Sequence, residues 1–214
     1  MTWTKLNDTN MRYQVYEMMS DHRLKYHNFG HILDLYTQAE KWKVPYCPDL
    51  DCAILWHDSV YDAHPNKELR SIDALRAYAL SNPLEFKNIN VHRACEMIAT
   101  TIDHKLRIDG DNVLLMLDLA ALRIPEQAQA NFWKIMEESK ALYGINNRDA
   151  AQGTVDFMSR FINTVNVNYA IAQSIESEFK TDPHFYWNLV ERGVNTTKTM
   201  AETIVYMYDN KMVK

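Results

Sequence analysis

A histidine and an aspartate stand side by side inside an apolar run, Ala53-Ile54-Leu55-Trp56-His57-Asp58-Ser59-Val60-Tyr61-Asp62. A carboxylate buried without a partner is strongly unfavourable, so a fold that places Asp58 here must also bring a cation, a metal or a set of donors to it. Three other places can help supply that site. They are His27 and His31 in Tyr26-His27-Asn28-Phe29-Gly30-His31, His104 in Thr101-Ile102-Asp103-His104-Lys105, and Asp118 within a leucine-rich stretch from Val113 to Leu122.

The surrounding sequence specifies helices. Apolar residues recur with helical period almost everywhere, and the breaks fall at helix punctuation. Helices are expected over Met11 to Ser20 and from about Phe29, where Ile32, Leu35, Ala39 and Trp42 form a stripe ended by Pro45 and Pro48. His31 lies one turn before Leu35 and should face inward. Asp49 or Asp51 can cap a helix carrying Ile54, Leu55, His57 and Asp58, and Asn66 a helix through Leu69, Ile72, Leu75 and Ala79.

Further helices are expected at Val91 to Ile102, Asp111 to Leu122, Pro125 to Gly144, Arg148 to Ile162 and Tyr169 to Phe179, and from Asp182-Pro183 onward. Thr164-Val165-Asn166-Val167 is short enough to be a loop. Neither strand-like alternation nor a repeat occurs, so the fold class is all-α. One domain over 1–214 is expected, with a motif-bearing core of about 22–125 and helices 126–214 completing it.

Composition narrows the function. The chain has 214 residues, 47% hydrophobic and 24% charged, and a net charge of -5 with no long basic run. That is an ordinary globular profile and a poor one for a nucleic-acid groove. Small anionic substrates stay in play, because a metal reverses the local field whatever the total charge. The five glycines are too scattered for a phosphate-cradling loop or a dinucleotide fingerprint. Cys47, Cys52 and Cys95 form neither a disulfide framework nor a zinc ribbon, which suits buried thiols in a reducing compartment. With no apolar signal core and no bilayer-spanning run, a cytoplasmic location and no membrane partner are expected.

Two histidines and two aspartates offered by separate helices would suit one Mn²⁺, Fe²⁺, Co²⁺, Ni²⁺ or Zn²⁺ ion with water in the open positions. Such an ion favours hydrolysis, because it acidifies bound water and polarises a phosphoryl oxygen. Each residue can equally be an ordinary one, as an isolated inward histidine usually is, and His22, His64, His92 and His184 are read that way. Asp118 sits among Leu114, Leu115, Leu117, Leu119 and Leu122, which favours burial with a partner.

The order His31, His57-Asp58, Asp118 resembles the H…HD…D signature of the HD superfamily of metal-dependent phosphohydrolases, which are all-α. More narrowly, Tyr26-His27-Asn28-x-x-His31-Ile32, Trp56-His57-Asp58-x-Val60-Tyr61-Asp62, Glu68-x-x-Ser71, Thr101-x-x-His104 and Asp118-Leu119-Ala120-x-Leu122 are similar to a bacterial group of predicted HD phosphohydrolases. The resemblance runs from about Tyr26 to Leu122. It implies that His31, His57, Asp58 and Asp118 hold a divalent metal, Mn²⁺ first, with Fe²⁺, Co²⁺, Ni²⁺, Zn²⁺ or Mg²⁺ as other candidates.

More distantly, His57 to Asp62 is similar to the helix of guanosine tetraphosphate hydrolases, where a Glu-Asp pair follows the HD. Here Tyr61 stands in the glutamate's place and only Asp62 matches. By this resemblance Asp62 and Glu68 are the candidates for orienting or deprotonating the attacking water. Tyr26, His27, Asn28, Arg70, His104 and Lys105 are candidates for contacts to phosphate. His27 can instead support a metal ligand, and His104 a second ion.

The implied function is hydrolysis of a nucleotide or other small phosphorylated molecule. The alternatives are an HD-fold protein that binds a nucleotide without turnover, and a di-iron HD oxygenase. The aromatic C-terminal helices, with Phe157, Phe161, Tyr169, Phe185, Tyr186 and Trp187, are read as core packing, or as a homodimer contact.

Overall fold

Proline and glycine set the helix boundaries. Pro48, Pro125 and Pro183 stand at the first position of their helices, where a missing N–H costs nothing, and Gly144 ends another in the left-handed conformation at φ 66°. A computed structural model describes residues 10–107, 111–174 and 183–213, and side chains outside 169–185. The expected end of the Tyr169 to Phe179 helix, Asp182, and the side chains of Tyr169, Phe185 and His184 lie outside the described residues.

Among the described residues the chain is all-α. The helices are α1 (Asn10–Met18), α2 (Phe29–Lys41), α3 (Pro48–Trp56), α4 (Lys67–Ser81), α5 (Val91–Asp103), α6 (Val113–Asp118), α7 (Pro125–Tyr143), α8 (Asn147–Ser174) and α9 (Pro183–Asp209), with a 3₁₀ helix at Leu119–Arg123. No described helix is long and apolar enough to cross a membrane. Contacts divide the chain into two units, Met1–Asp118 and Leu119–Lys214.

The first unit is built around α3. Every residue from Asp49 to Trp56 is buried, and α3 touches α1, α2, α4, α5 and α6. A helix buried on all sides is apolar all round, as the run Cys52 to Trp56 requires. Met11, Val15, Ile32, Leu35, Leu75, Ile98 and Leu114 pack on it. Asp49 does not cap α3. It lies in the first turn, where its Oδ1 accepts the Asn90 N–H at 2.7 Å and its Oδ2 takes Arg93 at 3.2 Å, joining α3 to the start of α5. Asp51 is also in the first turn and accepts the Tyr36 hydroxyl at 2.7 Å. Cys47 occupies the cap position without a side-chain bond.

Helix α3 stops at Trp56, so His57 and Asp58 are not on it as expected; His57 is its C-terminal cap and Asp58 begins the turn beyond. The helical pattern of the sequence continues because these two residues are as buried as those before them. Asn66 does precede α4, but with a left-handed backbone at φ 61° and no side-chain bond to the helix.

In the second unit, α9 packs on α8, α7 and the 3₁₀ helix. Arg148, near the start of α8, is paired with Asp209 at the end of α9, with Nε 2.6 Å from Oδ1, so the two helices run antiparallel. Thr164 to Val167, expected as a loop, lie inside α8. Met158, Phe161 and Val165 are all buried, and their spacing of three and four continues the inward stripe straight through the segment. Tyr186 and Trp187 are buried, as read from the sequence, whereas Phe157 is exposed.

Candidate metal centre

Three stretches of the first unit converge. Helix α2 is started by Asn28, whose Oδ1 accepts the Gly30 N–H at 2.8 Å while its Nδ2 donates to the Leu24 and Lys25 carbonyls at 3.2 and 3.1 Å. The cap fixes the first turn, which carries His31. A Cβ at Gly30 would meet Asn28 Oδ1 at 2.8 Å and push the capping side chain aside. The end of α3 delivers His57 and Asp58, and Asp118 closes α6.

His31, His57 and Asp118 each offer one donor atom to a common point. The two imidazole Nε2 atoms are 3.3 Å apart, and Asp118 Oδ1 is 3.1 Å from His31 and 3.8 Å from His57. Asp58 Oδ2 lies 3.3 Å from His57 Nε2 and 3.8 Å from His31 Nε2. With metal–ligand bonds of about 2.1 Å, neighbouring donors sit about 3 Å apart in an octahedron and about 3.4 Å in a tetrahedron. Three of the spacings, 3.1, 3.3 and 3.3 Å, fall in this range, and the two of 3.8 Å lie a few tenths of an ångström beyond it. His57 Nδ1 donates to the Ile54 carbonyl at 2.9 Å, which leaves Nε2 as the lone-pair nitrogen facing the cluster. The residues therefore fit a divalent ion.

The electrostatics ask for one. Burial works against a charged His57, but the Asp58 carboxylate beside it, with Asp118 behind, outweighs burial and pushes the ring up to about 9. Burial likewise opposes the Asp58 charge, and the His57 ring overcomes it, holding Asp58 well below the usual carboxylate range. Asp118 is also lowered, against burial, chiefly by its bond to His31, while the Asp58 charge pushes the other way. A buried carboxylate, Asp58, and a half-buried one, Asp118, thus depend on shared positive charge, which a divalent ion supplies in place of the proton.

The other candidates are arranged around this cluster unequally. The Tyr26 ring is 4.9 Å from that of His31. The His27 ring stacks on Tyr61 at 3.7 Å. His104 ends α5 with a left-handed backbone at φ 53°, and its Nε2 is 4.0 Å from Asp118 Oδ2. Lys105 is exposed, and Asn28 spends its side chain on the α2 cap.

Asp62 and Arg70 engage each other through two hydrogen bonds of 2.6 and 2.8 Å. The Arg70 bond, aided by the His64 N–H, holds Asp62 down at about 2. Ser71, fully buried on α4, accepts the Val60 N–H at 3.1 Å and so ties α4 to the turn after Asp58. Glu68 lies one turn earlier on the same face, half-buried and without a hydrogen bond or ion pair among the described residues. His22, His64 and His92, read as satisfied core residues, are instead exposed. Sequence reasoning also missed Lys67, whose Nζ stands 3.7 Å from the Tyr61 ring centre. A lysine at the start of a helix carries no signal for such a contact.

Set against known proteins, the chain matches no family model, no curated protein and no solved structure.

Proposed function

We propose that the chain is a metal-dependent phosphohydrolase of the HD type, acting on a nucleotide or another small phosphorylated molecule. The observation that carries this reading is the convergence of His31, His57 and Asp118, with Asp58 beside them, at separations of 3.1 to 3.8 Å. These four residues would hold the ion, with Mn²⁺ the first candidate for a mixed imidazole and carboxylate set. A bound ion would acidify a water to a pKa of about 7 and polarise a phosphoryl oxygen.

The chain's own residues do the rest. The Ile54 carbonyl fixes the His57 ring. Glu68, the uncommitted carboxylate on the face of α4 tied to the Asp58 turn, accepts the water's proton. His27, beside His31, and His104, beside Asp118, donate to phosphoryl oxygens. The three free cysteines fit a reducing, cytoplasmic setting.

The test is a hydrolysis screen of Mn²⁺-loaded protein against nucleotides, including guanosine tetraphosphate and dinucleotides, with His57→Ala as control. Turnover that vanishes in the variant is the expected result; silence across the panel with metal bound would sink the reading. The locked Asp62–Arg70 pair favours a second reading, nucleotide binding without turnover. Stoichiometric binding with no product after long incubation with Mn²⁺ would select it.

A further inference from the structure

The Tyr61 ring is clamped. The His27 imidazole lies 3.7 Å from its centre with only 12° between the planes, and Lys67 Nζ lies 3.7 Å from the same centre. Two groups that close cannot share a face, because the ammonium would fall inside the imidazole. They cover opposite faces, and Tyr61 has none left for a nucleobase.

His27 is confined on its other sides as well. The Tyr26 ring stands edge-on to it at 4.7 Å and 89°, and the His31 ring at 6.0 Å and 71°. His27 therefore neighbours one of the proposed metal ligands, His31, and is held flat against Tyr61.

Charge balance shows what such an imidazole is for. Two neutral imidazoles and two carboxylates cancel a divalent ion, so a phosphoryl group arrives at a centre of no net charge. Donors outside the ligand set must meet its oxygens, and Arg70 is committed to Asp62.

We propose that Tyr61 is a positioning residue: clamped by Lys67, it holds the His27 imidazole beside His31, where that imidazole takes a phosphoryl oxygen of the substrate. This rests on the phosphohydrolase reading and deepens it. Recognition at this point is of phosphate, and Tyr61 contributes a fixed ring rather than a stacking platform.

The test uses full-length protein, Mn²⁺ and inorganic phosphate. In metal-free wild type, the His27 ring protons should be shifted upfield by the Tyr61 ring current. Tyr61→Phe should keep that shift, and Tyr61→Leu should lose it. In Mn²⁺-loaded protein, Tyr61→Phe should hold phosphate within about twofold of wild type, and Tyr61→Leu should weaken it roughly tenfold at unchanged Mn²⁺ affinity, the size of one hydrogen bond to a charged group. His27→Gln should weaken phosphate to the same degree, and Tyr61→Leu added to it should change nothing more.

If wild type binds phosphate and Tyr61→Leu binds it equally well, this inference alone is overturned. It falls in the same way if Mn²⁺ affinity drops along with phosphate affinity, or if the two substitutions add. Wild type that binds Mn²⁺ but no phosphate overturns the phosphohydrolase reading, and this inference with it.

Discussion

Arg70 faces Asp62 squarely, Nη1 to Oδ1 at 2.6 Å and Nη2 to Oδ2 at 2.8 Å. The His64 N–H adds a third bond to the same carboxylate at 2.9 Å, and the three together hold Asp62 at about 2. So acidic a carboxyl is a feeble proton acceptor at neutral pH. Asp62→Asn should therefore reduce the hydrolysis rate by less than about tenfold and leave the shape of its pH profile alone, as expected for a residue outside proton transfer. Both partners are more than a third exposed, so the pair contributes at most about 1 kcal/mol to stability. A steady-state pH profile of the variant checks this. Loss of the profile's acid limb would return Asp62 to the reaction.

Glu68 carries the opposite expectation. It is half-buried and bound to nothing among the described residues, yet shares a face of α4 with buried Ser71, Ile72 and Leu75. An uncommitted carboxylate at the head of a buried stripe is available to a water in a way that Asp62 is not. Glu68→Gln should keep Mn²⁺ affinity and lose roughly two orders of magnitude in rate, the usual worth of a positioned base. Mn²⁺ titration beside single-turnover kinetics separates the two effects, and full activity in the variant would remove Glu68 from the mechanism.

The all-α class and the inward face of His31 were legible because helical period and punctuation report burial directly. The cluster was partly legible for the same reason. An aspartate among leucines, as at Asp118, and a His-Asp pair in an apolar run both announce a cost that something must offset. The end of α3 was not legible. His57 and Asp58 are buried like the residues before them, and periodicity cannot tell a buried turn from a buried helix. Nor could pairing be read: Asp62 and Arg70 are eight residues apart across a turn, and the Tyr61 clamp joins residues from α4 and the segment before α2. Thr164 to Val167 misled because β-branched residues there favour strands locally, while Val165 holds the helical register of α8.

Metal should stabilise the fold through the same four residues. An ion that binds only folded protein contributes about 2.7 kcal/mol at a hundredfold excess over its Kd. Thermal unfolding with and without Mn²⁺ should show this shift in wild type and none in His57→Ala. Because the ion displaces a proton from a ring whose pKa is pushed up to about 9, its apparent affinity should weaken as pH falls from 9 to 6. A metal-induced shift that survives in His57→Ala would place the ion elsewhere.

The second unit offers a sharper steric test. A Cβ at Gly193 would lie 1.9 Å from the Leu122 carbonyl oxygen and 2.8 Å from its carbon. Backbone cannot swing aside as a side chain can, so Gly193→Ala should force α9 off the 3₁₀ helix at a cost of about 3 kcal/mol or more. Gly153, exposed on α8 with no described atom within 4 Å of where a Cβ would stand, is the control. Gly153→Ala should stabilise by about 0.5–1 kcal/mol through helix propensity alone. Chemical denaturation of both variants measures the difference, and equal stability would mean that α9 tolerates displacement.

The buried carboxylate of Asp51 gives a pH dependence of determined sign. Burial, only partly offset by the hydroxyls of Tyr36 and Tyr46, raises it from 3.8 to about 6. The folded state thus favours the protonated form. The resulting stability is fully present below about pH 4 and disappears as pH rises through about 6, a span that corresponds to about 3 kcal/mol. Asp51→Asn removes the titration while keeping an oxygen for the Tyr36 hydroxyl, now 2.7 Å away. The new amide takes the place of Oδ2, which has no hydrogen-bond partner among the described residues, so the variant begins less stable in acid. Its stability relative to wild type should nonetheless climb by about 2.4 kcal/mol between pH 4 and pH 7. Urea unfolding at both pH values reads this directly. A difference that stayed flat across the range would mean that Asp51 is as ionised in the folded protein as in the unfolded chain.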